Sequence, residues 1–199
     1  MTSRFFLTLR VPAIIAVSAL ALSACSGSDS IPKDQELQPV SSPSGWKPAT
    51  LDGVKVSAPA DWTKGATTQA SATLKSTVWR AAEVNGVAPG GMEVRVISKP
   101  QQNAEKAALA LSISASASLQ GGKIDPEKIT WANAKSAYYY TTTISAGLTG
   151  SQTKFTSATT VFDLSDGRQI QVTALAEKGS QQADPTMVLG TVRLPKSDN

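Results

Sequence analysis

The single cysteine of this 199-residue chain ends an apolar segment and divides the sequence into a short basic leader and a part that can fold. Two arginines precede the apolar run at residues 11–22, and small residues lead from that run to Cys25. A run of this length is typical of the h-region of a secretory signal peptide and is too short to span a bilayer. We therefore expect residues 1–24 to be a signal peptide.

The motif Leu22-Ser23-Ala24-Cys25 resembles the lipobox of bacterial lipoproteins. The resemblance implies that Cys25 receives a diacylglyceryl group and becomes the first residue of the mature chain. The alternative is ordinary cleavage after Ala24 or nearby, which would leave a free thiol in a secreted protein with no partner cysteine. Two or three acyl chains anchor a protein far more firmly than one, so we expect an extracytoplasmic protein anchored to the membrane without spanning it.

The residues after the cysteine have the composition of a linker. Residues 26–45 consist mainly of Ser, Pro, Gly, Asp and Gln, with three large aliphatic residues, Ile31, Leu37 and Val40. We expect residues 25–45 to form a flexible tether. Twenty residues reach at most about 70 Å when fully extended, so a partner is expected close to the membrane.

Residues 46–195 have the size of one ordinary domain, with neither a repeat nor a second linker, and residues 196–199 form a tail. The leader contributes two arginines and no acidic residue to the formal charge of +4, so the chain from Cys25 onward has a net charge of +2. Its basic residues are scattered singly, unlike the stripe that follows a phosphate backbone. Nucleic-acid binding is therefore not predicted.

Alternating apolar and polar residues predict strands in this domain, and one stretch has a helical period. The predicted strands cover residues 51–59, 77–84, 92–97, 128–131, 137–145, 154–163 and 168–177. Asn103 can cap a helix with an alanine-rich stripe, and Leu109 and Ile113 are expected to widen the buried face of that helix. The motif Ser165-Asp166-Gly167 predicts a hairpin turn, and Asp184-Pro185 predicts the start of a short C-terminal helix.

Two local motifs accompany this order of elements. Residues 54–62 form an extended segment that ends in Pro-x-x-Trp. Residues 188–194 form the end of a terminal helix followed by an aliphatic strand. The whole pattern resembles the PsbP-like α/β/α sandwich and, more closely, the LpqN-type lipoproteins of actinobacteria. The resemblance implies an α+β fold with a mainly antiparallel sheet of about six to seven strands, one main helix and a short C-terminal helix. Such proteins are generally non-enzymatic binding or accessory modules at membranes.

Residues that carry chemistry are sparse in this sequence. The chain has no histidine, which removes Ser-His-Asp triads and histidine metal ligands, and Cys25 is assigned to lipid. Asp163 and Asp166 flank a hairpin turn, where accepting backbone hydrogen bonds is the ordinary role. Glu93 and Arg95 are expected to form a solvated pair on the sheet. We therefore predict neither an enzyme nor a protein that binds a metal or cofactor.

Aromatic residues offer a candidate binding surface for a ligand or partner. Trp131 lies on a predicted strand next to the one that carries Tyr138, Tyr139 and Tyr140, and Trp79 lies on another. Amphipathic rings of this kind are favoured where one side is apolar and the other is wet. The alternative is that Tyr138, Tyr140 and Ile144 are core residues, while Tyr139 lies at the surface or packs under a helix.

Two functions remain open on this evidence. One is a tethered adaptor that docks onto a membrane-embedded or periplasmic protein or complex, and the other is a carrier or chaperone for a lipid or other apolar envelope component. A carrier needs an apolar cavity of several hundred Å³, whereas an adaptor needs only an exposed patch. An aromatic content of 6% and a helix rich in small residues favour a tight core, so the adaptor is the leading prediction. No oligomeric state is predicted.

Overall fold

A computed structural model describes residues 37–84, 86–119, 124–146, 153–178 and 184–196. The predicted signal peptide and the predicted acylation site Cys25 lie outside these residues. Within the described ranges, neither helix has the length and apolar character that crossing a bilayer requires. The described chain is an α+β protein with a mostly antiparallel sheet.

The described ranges contain ten strands and two helices. The strands are β1 (Lys47–Leu51), β2 (Val54–Ala58), β3 (Thr63–Lys64), β4 (Thr68–Ser71), β5 (Leu74–Arg80), β6 (Gly90–Ile97), β7 (Glu127–Ile129), β8 (Ser136–Ala146), β9 (Thr153–Asp163) and β10 (Gln169–Glu177). The main helix is α1 (Ala104–Leu119) and the short C-terminal helix is α2 (Pro185–Gly190).

The main sheet has eight strands in the order β3-β5-β6-β10-β9-β8-β7, with β4 also paired to β5, and β1 and β2 form a separate hairpin. All of these pairings are antiparallel. The sequence predicted only six to seven strands, because β3 and β4 are short, entirely exposed segments without an apolar alternation.

The sheet separates two apolar layers. Successive residues of a strand point to opposite faces, so Val161 and Phe162 of β9 belong to different layers. Val161 packs against the buried alanines of α1, which are Ala104, Ala107 and Ala108. Phe162 belongs to the larger core, which also contains Val188 and Leu189 of α2 and the inward residues of the β1–β2 hairpin. Helices α1 and α2 therefore lie on opposite sides of the sheet.

The start of α1 is fixed by side-chain hydrogen bonds, as the sequence predicts. Asn103 Oδ1 accepts from the Lys106 backbone N–H at 3.0 Å, and the Asn103 carbonyl oxygen accepts from Ala107 N–H at 2.9 Å. The prediction that Leu109 and Ile113 widen the buried face is wrong, since they are 37% and 56% exposed. The alanine stripe, with Leu111 packed beside it, allows close approach to β8 and β9, and it leaves Leu109 and Ile113 on the outer surface.

The predicted hairpin turn and the predicted start of the short C-terminal helix are both confirmed. The β9–β10 turn places Gly167 at a φ of +85°, which suits glycine, and Leu164 N–H donates to the Arg168 carbonyl oxygen at 2.9 Å. Asp184 caps α2, since its Oδ1 accepts from Thr186 N–H at 2.8 Å.

The expected tether is too long, because its last nine residues belong to the domain. Leu37 is buried in the larger core. The Val40 N–H donates to the Gly190 carbonyl oxygen at 2.9 Å, and Arg193 Nη2 donates to the Val40 carbonyl oxygen at 2.6 Å. The buried side chain of Leu37 and the two hydrogen bonds of Val40 hold this segment against the domain, although its composition is polar. The domain therefore begins at or before Leu37, and the link to Cys25 is limited to residues 26–36.

Candidate functional site

The five predicted aromatic residues do not form one surface. Trp79, Trp131 and Tyr139 belong to the larger core, where they are 5%, 5% and 7% exposed. Tyr138 lies half-buried in the layer under α1. Tyr140 is buried and shares the parity, and hence the sheet face, of Tyr138. A binding role for these rings stays a prediction, and each ring has structural neighbours.

Trp131 and Tyr139 each bring a polar group, an indole N–H or a phenol O–H, into the larger core. Trp131 Nε1 donates to the Val192 carbonyl oxygen at 3.2 Å, and the Trp131 ring centroid lies 5.6 Å from that of Phe162. Burial raises the pKa of Tyr139 to about 12, and the negative charges of Asp184 and Glu127 contribute. The Tyr139 phenol is therefore neutral at physiological pH.

The ion pair of Glu93 and Arg95 forms, but it is not the solvated pair that the sequence predicts. Arg95 Nε donates to Glu93 Oε1 at 2.9 Å, and the Glu93 side chain is only 2% exposed. Its second oxygen, Oε2, is buried and has no hydrogen-bond partner among the described residues. In the sheet register, Glu93 lies between Val78 of β5 and Thr173 of β10. These neighbouring strands help to bury the Glu93 side chain, and the sequence of β6 alone does not predict them.

Asp163 holds structural elements together. Its Oδ2 accepts from Ala104 N–H at 2.8 Å and from Ser136 Oγ at 3.0 Å, while its Oδ1 accepts from Gln169 Nε2 at 3.0 Å. The predicted role of accepting backbone hydrogen bonds is confirmed for the bond from Ala104, whereas the other two donors are side chains. An open cleft of about 300 Å³ lies beside it, lined by residues 100–103, 135, 163–164 and 167–168.

Asp166 has a comparable local role in the β9–β10 turn. Its Oδ1 accepts from Arg168 N–H at 3.0 Å and its Oδ2 accepts from Arg168 Nε at 2.8 Å. These bonds hold the pKa of Asp166 below its usual value. Across the described part of the chain, no group of three or more acidic, histidine or cysteine residues is placed to hold a metal ion.

The outer face of α1 exposes two apolar residues that the sequence pattern predicts to be buried. Leu109 and Ile113 lie about one helical turn apart and are exposed together with Ala110. No charged residue occurs between positions 107 and 119, so most of the helix has no ionic side chain to hydrate it. The four-residue spacing of Leu109 and Ile113, off the alanine stripe, is the sequence signal that could have revealed this outer face.

A second apolar surface lies on the opposite side of the sheet, next to the N-terminal segment. An open cleft of about 290 Å³ is lined by residues 43–46, residues 59–60 and Met187, and we call it the Trp46 cleft. Only Ser44 contributes a polar side chain to its lining. Trp46 is half-buried and Met187 is 42% exposed, so the cleft presents apolar atoms to its surroundings.

Comparison with known proteins gives little guidance. Neither a protein-family model nor a curated protein matches this chain. A crystal structure from Bacteroides thetaiotaomicron VPI-5482 at 1.50 Å resolution is similar at a TM-score of 0.41 with 13% sequence identity. The similarity covers 74% of this chain and 47% of that chain, so this chain spans about half the length of that structure. A likeness at this level identifies neither a fold family nor a function.

Proposed function

We propose that this protein is a lipid-anchored, extracytoplasmic binding module that docks onto a membrane-proximal envelope protein through the outer face of α1. The observation that carries the proposal is the exposed pair Leu109 and Ile113 on a helix with no charged residue beyond its first turn. The anchor rests on the lipobox-like sequence at Cys25, and the PsbP-like architecture rests on the order of the elements.

The chemistry of this helix favours a protein partner. Full burial of an exposed leucine or isoleucine side chain contributes about 1.5–3 kcal/mol. Because Leu109 and Ile113 are already partly buried, a partner that covers them gains part of this free energy from each residue. Apolar positions four residues apart form the seam by which one helix packs on another helix or into a groove. The small exposed residues Ala110 and Ser114 lie beside the pair and permit close approach without desolvating a charge.

The filled interior favours an adaptor over a carrier. The largest fully buried side chains include Phe155, Phe162, Met92 and Ile170, and the last three belong to the larger core. A carrier encloses most of its ligand, whereas both clefts described above are open. A partner that covers α1 requires no such enclosure.

Photo-crosslinking in living cells tests the docking face. A photoreactive amino acid at Ile113 is expected to give one discrete protein adduct in the membrane fraction. The same residue at Val84, which is apolar and 62% exposed, serves as the matched control and is expected to give none. Leu109→Asp should remove the Ile113 adduct without unfolding the domain, because the position is on the outer surface. Equal adducts at both positions, or none at Ile113, would contradict the proposal.

A further inference from the structure

The Trp46 cleft is a built surface, because two turns closed by backbone hydrogen bonds define its shape. Trp46 N–H donates to the Pro43 carbonyl oxygen at 3.2 Å, which closes the turn that forms one wall. The opposite wall follows from a second turn, in which Trp62 N–H donates to the Pro59 carbonyl oxygen at 3.1 Å. Met187 comes from α2, whose neighbouring residues Val188 and Leu189 are fully buried.

The Trp46 cleft lies close in sequence to Leu37, which limits how far the cleft can lie from an anchor at Cys25. Eleven residues lie between Cys25 and Leu37, and the twelve steps from one Cα to the other span at most about 43 Å when fully extended. A domain of about 160 residues has a radius of gyration near 15 Å, so its diameter approaches that length. If the anchor lies at Cys25, the side of the domain on which Leu37 enters is held nearest to the bilayer. The cleft begins only six residues after Leu37.

One basic and two acidic residues lie near the Trp46 cleft. Lys47 lies at its rim, since its Nζ donates to the carbonyl oxygen of the lining residue Ala60 at 3.2 Å. Asp61 follows Ala60 directly and is exposed, and Asp184 precedes Met187 by three residues on the outside of α2. Among these described residues, no excess of positive charge is available to select anionic headgroups. Recognition therefore depends on the apolar atoms, with a tryptophan of the kind that favours a membrane–water interface.

We infer that the Trp46 cleft is the face by which the domain rests on the bilayer, with Trp46 and Met187 in contact with lipid. This inference rests on the lipid anchor of the proposed function. It also fixes the orientation of the molecule, because α2 and α1 lie on opposite sides of the sheet. With Met187 against the lipid, Ile113 points away from the membrane, towards a partner protein.

The test uses the acylated chain purified from membranes, with one cysteine introduced at Met187 or, as a matched control, at Ile113. Both positions are exposed and apolar, and they lie on opposite sides of the sheet. Each variant is labelled with an environment-sensitive nitrobenzoxadiazole dye and mixed with phosphatidylcholine vesicles that contain nitroxide-labelled phosphatidylcholine. We expect the dye at position 187 to be quenched several-fold more strongly than the dye at position 113. The effect should persist at high salt and without anionic lipid.

Equal quenching at both positions, or stronger quenching at position 113, would overturn the inference while the anchor stands. Quenching at position 187 that requires phosphatidylglycerol and disappears at high salt would also overturn it, because it would indicate electrostatic adsorption. Failure of the anchor gives a different result. In that case the chain does not float with the vesicles and Cys25 takes a second dye, which overturns both the anchor and this inference.

Discussion

Arg193 Nη2 donates a hydrogen bond of 2.6 Å to the carbonyl oxygen of Val40, a residue 153 positions earlier in the chain. Nη1 of the same guanidinium donates to the carbonyl oxygens of Gly190 and Val192 at 3.1 and 2.9 Å. One cation thus caps the C-terminal end of α2 and holds the N-terminal segment against it. The Trp46 cleft depends on this arrangement, since its first wall begins three residues after Val40.

Replacement of Arg193 by methionine should release the N-terminal segment. Bonds from a charged donor contribute about 1.5–3 kcal/mol when buried and less at an exposed position, so we expect a loss of about 1–2 kcal/mol in the free energy of unfolding. Hydrogen exchange should show faster exchange of the Val40 amide. Arg168→Met is the control, because the Arg168 guanidinium bonds the Asp52 carbonyl oxygen and Asp166 rather than Val40. An unchanged Val40 amide in the Arg193 variant would contradict this role.

Gly190→Ala should displace the same segment by a steric route. A Cβ at this position would lie 2.8 Å from Val40 Cγ2 and 3.0 Å from the Gln38 carbonyl oxygen. Overpacking of this kind costs about 1–3 kcal/mol. Gly65→Ala is the matched control, because its Cβ would come no nearer than 3.4 Å to Val78. Urea unfolding should separate the two variants, and equal stabilities would show that Gly190 has no special packing role.

The buried pair of Glu93 and Arg95 predicts an asymmetric response to mutation. Arg95→Met leaves the buried carboxylate without its partner and should cost about 3 kcal/mol or more, as breaking a buried pair does. Glu93→Gln keeps an acceptor for Arg95 Nε and removes a poorly solvated charge, so it should cost about 1 kcal/mol or less. The double variant should recover part of the loss caused by Arg95→Met. Urea denaturation measures all three, and a larger cost for Glu93→Gln than for Arg95→Met would refute this explanation.

Tyr139 should make stability depend on pH at the alkaline end. Its pKa is about 12 in the folded protein and about 10 in an unfolded chain. Below pH 10 the phenol is neutral in both states, so it adds no pH dependence. Between pH 10 and 12 the unfolded state loses the proton first, and stability falls. Tyr139→Phe should remove this part of the fall, so the unfolding free energy of the wild type minus that of the variant should be constant below pH 9 and should decrease above pH 10. Parallel curves would contradict the assignment.

Local signals in the sequence predicted much of this fold. The Asn103 and Asp184 caps, the Asp166-Gly167 turn and the alternation along β9 and β10 depend on neighbouring residues, and the structure confirms them. The strands that the sequence missed are short and polar, or, like β1, contain a proline. Their pairing depends on the strands beside them.

The candidate surfaces were harder to predict, because long-range contacts determine them. Leu37 and Val40 lie in a linker-like composition, and the partners that fix Val40 are Gly190 and Arg193 at the other end of the chain. Apolar residues occur on two faces of α1, so the sequence alone does not show which face is buried. The alanine face fits closely against β8 and β9, and Ile113 therefore lies on the exposed face.

The central claim is that a lipid at Cys25 holds this domain at a membrane, and intact-mass spectrometry of the chain purified from membranes tests it most directly. We expect a chain that begins at Cys25 and carries the added mass of a diacylglyceryl group, with no reaction of Cys25 with a thiol reagent. Cys25→Ser should abolish the added mass and the detergent-phase partitioning. A wild-type chain with a free Cys25 thiol, or one that starts elsewhere without lipid, would contradict the claim.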